Sequence, residues 1–334
     1  MVRAVRPRMN RGPDLRQHTA PAWLVWAALW TVYIVWGSTY LAIRVTVETL
    51  PPLLTAGIRF LVAGAIVVGF LAVKRGMPAV RVTKRELGSS ALVGGLLLCG
   101  GNGLVVLAER DVPSSLAALV IASVPLWVVV FRAVTGDRVP FVTLAGVAVG
   151  FVGVAILVLP GDQPGGTTLW GLLLLVVASA SWATGSFTST RLALPQDPFL
   201  STGVQMLCGG AWLSVAGLAM GEASAIDAER FSLASILALV YLIIAGSLAA
   251  FTAYVWLLQN APISKVSTYA YVNPVIALVL GWVILDERLT VPMLVGAGVI
   301  VASVAFTVTK ESGAKMPARG AEAPEPGPAL AAAE

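Results

Sequence analysis

Apolar residues along this chain form long continuous runs, and short polar segments separate them. A bilayer-spanning helix needs about 20 apolar residues, and ten runs reach that length with a single charged residue, Arg59, among them. The pattern therefore predicts an all-α polytopic membrane protein with ten transmembrane helices. The predicted spans cover residues 22–43, 54–73, 87–108, 115–131, 139–159, 168–190, 199–220, 233–257, 266–285 and 291–309.

The segments between the runs carry turn residues such as Pro51-Pro52 and Pro160-Gly161. A membrane β-barrel is excluded, because its strands alternate polar and apolar residues over about ten positions and these runs do not alternate. The first run begins at Trp23 and has no small-residue cleavage site after it. We therefore expect it to be the first span rather than a cleaved signal peptide.

Composition excludes the soluble classes. Hydrophobic residues make up 57% of the 334 positions, charged residues 12%, and mean hydropathy is +0.87, whereas soluble domains carry about 25% charged residues. Cys99 and Cys208 lie in apolar runs, and the only histidine, His18, precedes the first span. No predicted span contains Asp, Glu or His. The sequence therefore predicts no metal centre, no cofactor and no enzyme activity.

The basic residues predict the orientation. With the N-terminus in the cytoplasm, 17 of the 22 Lys and Arg residues fall in cytoplasmic segments, as the positive-inside rule requires. Both termini are then cytoplasmic: residues 1–21 form a basic tail and residues 310–334 a disordered one. We expect the net charge of +5 to meet anionic lipid and not nucleic acid.

The chain contains an internal repeat. The segment from Pro113 to Pro125 matches that from Pro262 to Pro274 at an offset of 149 residues. Further on, Asp137-Arg138 corresponds to Glu287-Arg288 at an offset of 150. The repeats are predicted to cover 22–159 and 168–309, with five spans each. An odd number of spans makes the second copy inverted, and inverted repeats in transporters place the binding site near the membrane midplane, where the halves meet.

Several motifs carry a family resemblance. Trp36-Gly37-Ser38-Thr39 in the first span, Ser267 to Pro274 in the ninth and Asp286-Glu287-Arg288-Leu289 after it resemble the EamA-type drug/metabolite transporters. The resemblance implies ten helices in two EamA repeats and efflux or exchange of small metabolites across the bacterial inner membrane. The first copy departs from the usual Gly-Glu-Arg motif by carrying Gly136-Asp137-Arg138. The distantly related half-size multidrug pumps use a glutamate in their first helix, and no predicted span here contains one.

Polar and aromatic residues inside the spans are the candidates for the transport site, since polar groups in a bilayer need a partner or a water-filled cavity. Prolines inside a span remove a backbone hydrogen bond and tend to kink the helix, so Pro125 and Pro274 are predicted hinges. The candidates for lining a substrate cavity are Trp36, Tyr40, Arg59, Asn102, Trp182, Ser186, Gln205, Tyr269 and Asn273.

Each candidate has a plainer alternative. Arg59 is predicted either to hold an anionic substrate group or to reach the outer headgroups or pair with Glu48 or Glu109. The amides of Asn102 and Gln205 serve either a substrate or a neighbouring helix.

The aromatic candidates are likewise open. Spacings of four place Tyr269 and Asn273 on one helix face, and the same holds for Trp36 with Tyr40 and Trp182 with Ser186. Each of these faces is predicted either to line a cavity or to pack against a neighbouring helix.

Two further groups are assigned structural roles. Glu287 and Arg288 are predicted to cap a helix end. Small residues favour close helix contacts, so the fifth and tenth spans are predicted to form scaffold or a dimer surface through Gly146, Gly150, Gly153, Gly296 and Gly298.

The sequence thus predicts a secondary transporter of a small metabolite or drug-like solute that works by alternating access. Its expected partners are that solute and membrane lipid, with a homodimer possible. The alternative is a channel or a membrane interaction protein that transports nothing.

Overall fold

The computed structural model describes residues 21–159, 167–261 and 263–313. The predicted tails, 1–21 and 310–334, lie outside these ranges apart from Pro21 and the end of the last helix. Within the described ranges the secondary structure is helical and includes no strand. The all-α fold predicted from the runs is confirmed.

Ten apolar helices occupy the described residues, one for each predicted run. Nine are long enough to cross a bilayer, and the tenth, α9, has 17 residues. The helices of the first repeat are α1 Ala22–Val47, α2 Pro52–Arg75, α3 Lys84–Ala108, α4 Ser114–Val134 and α5 Phe141–Val158. Those of the second are α6 Leu169–Ser189, α7 Pro198–Ala219, α8 Leu233–Leu258, α9 Tyr269–Leu285 and α10 Val291–Gly313.

Short helical turns occur between these helices. Single 3₁₀ turns cover Met77–Val80, Glu222–Ala225 and Ala228–Arg230. A four-residue helix, Ile263–Val266, precedes α9.

Several helices begin at a polar side chain that binds a free backbone amide. Thr83 and Glu86 form a reciprocal capping box at α3. Thr168 accepts a hydrogen bond at the start of α6, and Ser232 does so at the start of α8. Asp197 accepts from the Leu200 amide at the start of α7. These side chains stop each apolar run at a defined residue.

The same irregularities recur in both repeats. The third helix of each contains a π-helical segment, Gly95–Gly103 in α3 and Leu242–Ala249 in α8. The fourth span of each is interrupted, after Ile121 in α4 and between Ile263–Val266 and Tyr269 at α9. The duplication seen in the sequence is therefore matched by the local backbone geometry.

Small residues let the helices of two pairs approach closely. In the pair α2 and α7, a Cβ on Gly64 would lie 2.8 Å from the Gly203 carbonyl oxygen. In the pair α5 and α10, a Cβ on Gly153 would lie 2.8 Å from Ile300. Gly298 differs, because a Cβ there would meet nothing within 4 Å. The α5–α10 pair therefore has the small-residue scaffold contacts expected of it.

The bundle has two ends. Because successive helices run in opposite directions, α2 ends and α7 begins at the same end, where Arg75 pairs with Asp197 at 2.5 Å. We call this the Arg75 end. The other, which holds the end of α3 and the loop after α9, is the Glu109 end.

Candidate functional site

Three aromatic rings from α1, α8 and α9 meet inside the bundle. The Trp36 ring centroid lies 5.1 Å from that of Tyr254 and 5.3 Å from that of Tyr269, and the two tyrosine rings are 5.7 Å apart. One turn after Tyr269, Asn273 is 8% exposed, and its Oδ1 has no hydrogen-bond partner among the described residues. The predicted face of α9 therefore lies against α1, with an amide oxygen left unpaired.

The π-helical segment of α8 binds polar side chains from α1 and α2. The Trp36 Nε1 donates to the Gly246 carbonyl at 3.2 Å, and the Arg59 Nε donates to the Ser247 Oγ at 2.9 Å. One turn earlier, the Ser38 and Tyr241 hydroxyls are 2.6 Å apart. A π-helical segment frees backbone carbonyls and occurs frequently at functional sites.

Arg59 is held inside the protein. Its side chain is 6% exposed, its guanidinium lies 4.7 Å from the Phe60 ring centroid, and it lines a cavity of about 10 Å³, comparable with one water. The ion pairs of the described residues do not join it to Glu48 or Glu109. A buried guanidinium does not reach the headgroups as snorkelling requires.

The π-helical segment of α3 repeats this arrangement with α6. A Cβ on Gly101 would lie 2.7 Å from the Trp182 ring, and the Ser181 Oγ donates to the Leu96 carbonyl at 2.8 Å. The Oδ1 of Asn102 is buried without a partner in the described part of the chain. Trp182 thus packs against the π-helical segment of α3, as Trp36 packs against that of α8, and Asn102 follows Gly101 in the α3 segment.

A cavity of about 290 Å³ opens at the Arg75 end between α4 and α6. Its lining residues are Val128, Arg132, Asp137, Ser186, Phe187, Thr190 and Arg191, of which Ser186 is one of the candidates from the sequence. Arg132 pairs with Asp137 at 3.1 Å, and the Arg191 guanidinium lies 3.6 Å from the Phe187 ring centroid.

An aromatic row continues from this cavity into the bundle. The rings of Phe187 and Phe131 are 6.0 Å apart, those of Phe131 and Trp127 6.3 Å, and those of Trp127 and Phe151 4.8 Å. Of this row only Phe187 lines the cavity, whose other lining residues include Val128, two arginines and two hydroxyl-bearing residues.

The remaining candidates lie apart from these groups. The Gln205 Nε2 donates to Ser201 in its own helix at 2.9 Å. Tyr40 packs at the edge of the core formed by α3 to α6 and α10. Pro125 lies in the first turn after the interruption of α4, while Pro274 lies inside α9 and the chain is interrupted at Ser267–Thr268, before the helix begins.

The Glu109 end is held by hydrogen bonds of Glu287 and Arg44. The Glu287 carboxylate accepts hydrogen bonds from both the amide and the hydroxyl of Ser114 and of Ser115, at 2.7 and 2.8 Å for Ser114. Arg44 donates to the carbonyls of Glu109 and Arg110. Glu287 thereby caps α4 from across the bundle, so it is a helix-end cap as predicted, although of a helix in the other repeat.

A second carboxylate closes the same end. Glu222 accepts from the amides of Leu53 and Leu54 at 3.1 and 2.9 Å, which caps α2. No motif in the sequence pointed to this contact.

Among the site neighbours, Ser247, Tyr254 and Phe187 were also missed. Their only signal was a polar or aromatic residue inside an apolar run, which many packing residues share.

Known proteins resemble this chain along most of its length. The model of the "EamA-like transporter family" matches twice, at residues 22–159 and 169–309. The inner membrane transporter YedA of Escherichia coli (strain K12) is 38% identical over 283 residues, which cover 84% of this chain and 89% of that protein. The transporter YvbV of Bacillus subtilis (strain 168) is 28% identical and covers 86% of this chain and 92% of its own length.

Two further comparisons agree with the fold and the class. A "Probable amino-acid metabolite efflux pump" of E. coli (strain K12) is 26% identical, with 83% of this chain and 92% of that protein covered. A solved structure titled "Crystal structure of protein" has a TM-score of 0.58 at 21% identity and covers 86% of this chain and 97% of its own. The two matched repeats and the 38% identity establish that the chain belongs to the EamA-like transporter family.

Proposed function

We propose that this protein moves a small organic solute across the bacterial inner membrane by alternating access between its two repeats. One observation carries the proposal: a cavity of about 290 Å³ is open at the Arg75 end, while the Glu109 end is held by the contacts of Glu287, Arg44 and Glu222. A transporter that alternates access is expected to be open at one end and closed at the other.

The direction of opening follows from the basic residues. The Arg75 end carries the larger share of Lys and Arg, so the positive-inside rule places it in the cytoplasm. In this state the cavity loads solute from the cytoplasm, which suits export. A relative named as an efflux pump supports this direction.

The path of the solute runs from Ser186 towards the two tryptophan groups. Phe187, Phe131 and Trp127 offer ring faces to an apolar part of the solute. Deeper in, the unpaired oxygens of Asn102 and Asn273 accept hydrogen bonds from its donor groups. An amphipathic solute with N–H or O–H groups satisfies both features, because it pairs buried acceptors that are otherwise costly.

The test is counterflow in proteoliposomes with a panel of amino acids, nucleobases and amphipathic amines. We expect uptake of at least one labelled solute, and we expect Asn273→Ala and Asn102→Ala to lower its rate by about tenfold or more, as losing one buried hydrogen bond predicts. Thr202→Ala is the matched control, since its hydroxyl donates to the Pro198 carbonyl in its own helix. Ion conductance without counterflow would instead support a channel.

A further inference from the structure

Glu109 is a carboxylic acid with no evident role in solute binding and an unusual environment. It follows the last residue of α3 and is 0% exposed. Neither of its side-chain oxygens has a hydrogen-bond partner among the described residues. An ionised carboxylate without partners is very costly inside a protein, so the environment favours the neutral acid.

The charged and titratable groups around Glu109 come from few elements. On α1 these are Tyr40 and Arg44, and from the loop after α9 it is Glu287. The α6 sequence carries no charged residue, and Arg59, the charged residue within the predicted span 54–73 on α2, donates to Ser247. Within the same loop as Glu109, Arg110 and Asp111 are exposed.

These neighbours act unequally on the acid. Burial raises the pKa of Glu109 well above its ordinary value, the Glu287 carboxylate raises it further, and Arg44 acts in the opposite direction. The Arg44 guanidinium acts through its charge alone, because its Nη1 donates to the backbone carbonyls of Glu109 and Arg110 and the Glu109 carboxyl oxygens accept no hydrogen bond among the described residues. Glu287 accepts hydrogen bonds from the amides and hydroxyls of Ser114 and Ser115.

We propose that Glu109 is a proton-binding site, and that the bound proton is required for the Glu109 end to close with Glu287 seated on α4. When this end opens, water reaches the side chain, its O–H bond breaks, and the proton passes to that water. The carboxylate left behind is then free to pair with Arg44. This inference rests on the proposed alternating access, and it adds the proton as the ligand that controls the Glu109 end.

The position of Glu109 also fixes what the proton does. Glu109 lies at one end of the bundle, so its proton exchanges with the outer compartment alone. The proton therefore returns to the side from which it came. Low pH on that side favours the closed end, and high pH favours the open one. The pH dependence is therefore a control of conformation by the outer compartment rather than net proton transport.

The test measures opening of the Glu109 end directly. Spin labels on Glu48→Cys and Arg288→Cys, both exposed residues, report the distance across it in proteoliposomes whose native cysteines are replaced by alanine. We expect longer distances to gain population as the pH rises from 5 to 8, by up to tenfold per pH unit, since one proton is exchanged. Glu109→Gln, a neutral mimic of the acid, is expected to stay at the short distance throughout.

Asp111→Asn is the matched control, because it removes an exposed carboxylate two residues away, and it is expected to keep the wild-type pH response. A pH-independent distance in the parent protein, or a normal pH response in Glu109→Gln, would overturn the proposal. Thermal unfolding of Glu109→Gln confirms that this variant is folded.

Infrared difference spectra provide a second readout that does not depend on transport. At neutral pH we expect a carbonyl band of a protonated carboxylic acid that is missing in Glu109→Gln and retained in Asp111→Asn. Absence of that band from the parent protein contradicts the proton site. Failed counterflow with the band and the distance change both present would contradict the proposed function instead.

Discussion

At the scale of single residues, the few polar groups inside the bundle are held in different ways. Arg59, which the sequence made conspicuous as the only charge in a span, donates to Ser247 and lies against Phe60. The amides of Asn102 and Asn273 keep an unpaired oxygen. Residue type alone did not separate these cases, because the difference depends on which helix lies opposite.

The Arg59–Ser247 contact predicts a stability effect. In Ser247→Ala the Arg59 Nε loses its acceptor while it stays buried, so we expect the free energy of unfolding to fall by about 1.5–3 kcal/mol, as for a buried hydrogen bond to a charged group. Thermal unfolding in detergent measures this. Ser224→Ala, at an exposed turn, is expected to change it by less than about 0.5 kcal/mol; equal effects would mean that the contact contributes nothing.

At the scale of helices, apolar run length fixed the number and approximate bounds of the spans, because burying a backbone in lipid requires a helix of a set length. The π-helical segments in α3 and α8 and the interruption at Ser267–Thr268 were not predictable in this way. Gly, Ala and Leu carry no pattern that distinguishes a π-helical turn, which is rare, from an α-helical one. The interruption of the ninth span lies before Tyr269, while the kink predicted at Pro274, inside α9, stays a prediction.

The start of α7 offers a test of helix capping. Partial burial acts to raise the pKa of Asp197, but hydrogen bonds from Leu200 and Arg75 outweigh it and leave this pKa below its ordinary value. Its stabilisation is therefore complete above the unfolded-state pKa and is lost as the pH falls through the lower, folded-state pKa. We expect Asp197→Ala to cost about 0.5–2 kcal/mol at neutral pH.

Asp197→Asn separates the cap from the charge. Asparagine is also a good capping residue, so this variant is expected to retain most of the stability at neutral pH and to lose its acid-dependent part. Urea unfolding between pH 3 and 7 measures both variants. A loss as large in Asp197→Asn as in Asp197→Ala would contradict the assignment to the cap.

The α5–α10 pair predicts a contrast between two glycines. A Cβ on Gly150 would lie 2.5 Å from the Ser303 Oγ, whereas one on Gly298 would meet nothing within 4 Å. Gly150→Val is expected to lower the free energy of unfolding by about 1–3 kcal/mol through overpacking. Gly298→Val is expected to leave the fold of the monomer unchanged. If α10 also forms the predicted dimer surface, Gly298→Val will change the mass measured by native mass spectrometry, and an unchanged dimer would place that surface elsewhere.

At the scale of the whole molecule, the inverted repeat was visible in the sequence, because Pro113, Pro125 and Asp137 have counterparts at a constant offset. The sequence did not show which end of the bundle is closed, because the two repeats are related but not identical. Glu287 binds Ser114 and Ser115 across the bundle, whereas its counterpart Asp137 pairs with Arg132 beside the open cavity. The asymmetry between the ends thus lies in what two equivalent carboxylates bind.

This comparison makes Glu287 the residue whose loss should open the Glu109 end. In Glu287→Gln one oxygen becomes an N–H₂ donor facing amides and hydroxyls, so the charge-assisted bonds to Ser114 and Ser115 are weakened. Val112, which is 0% exposed beside this contact, is the reporter: Val112→Cys is expected to react with a membrane-impermeant maleimide about tenfold faster in Glu287→Gln, in a background without native cysteines. Glu48→Gln, an exposed carboxylate at the same end, is expected to leave that rate unchanged. Equal rates in both variants would show that Glu287 caps α4 without holding the two repeats together.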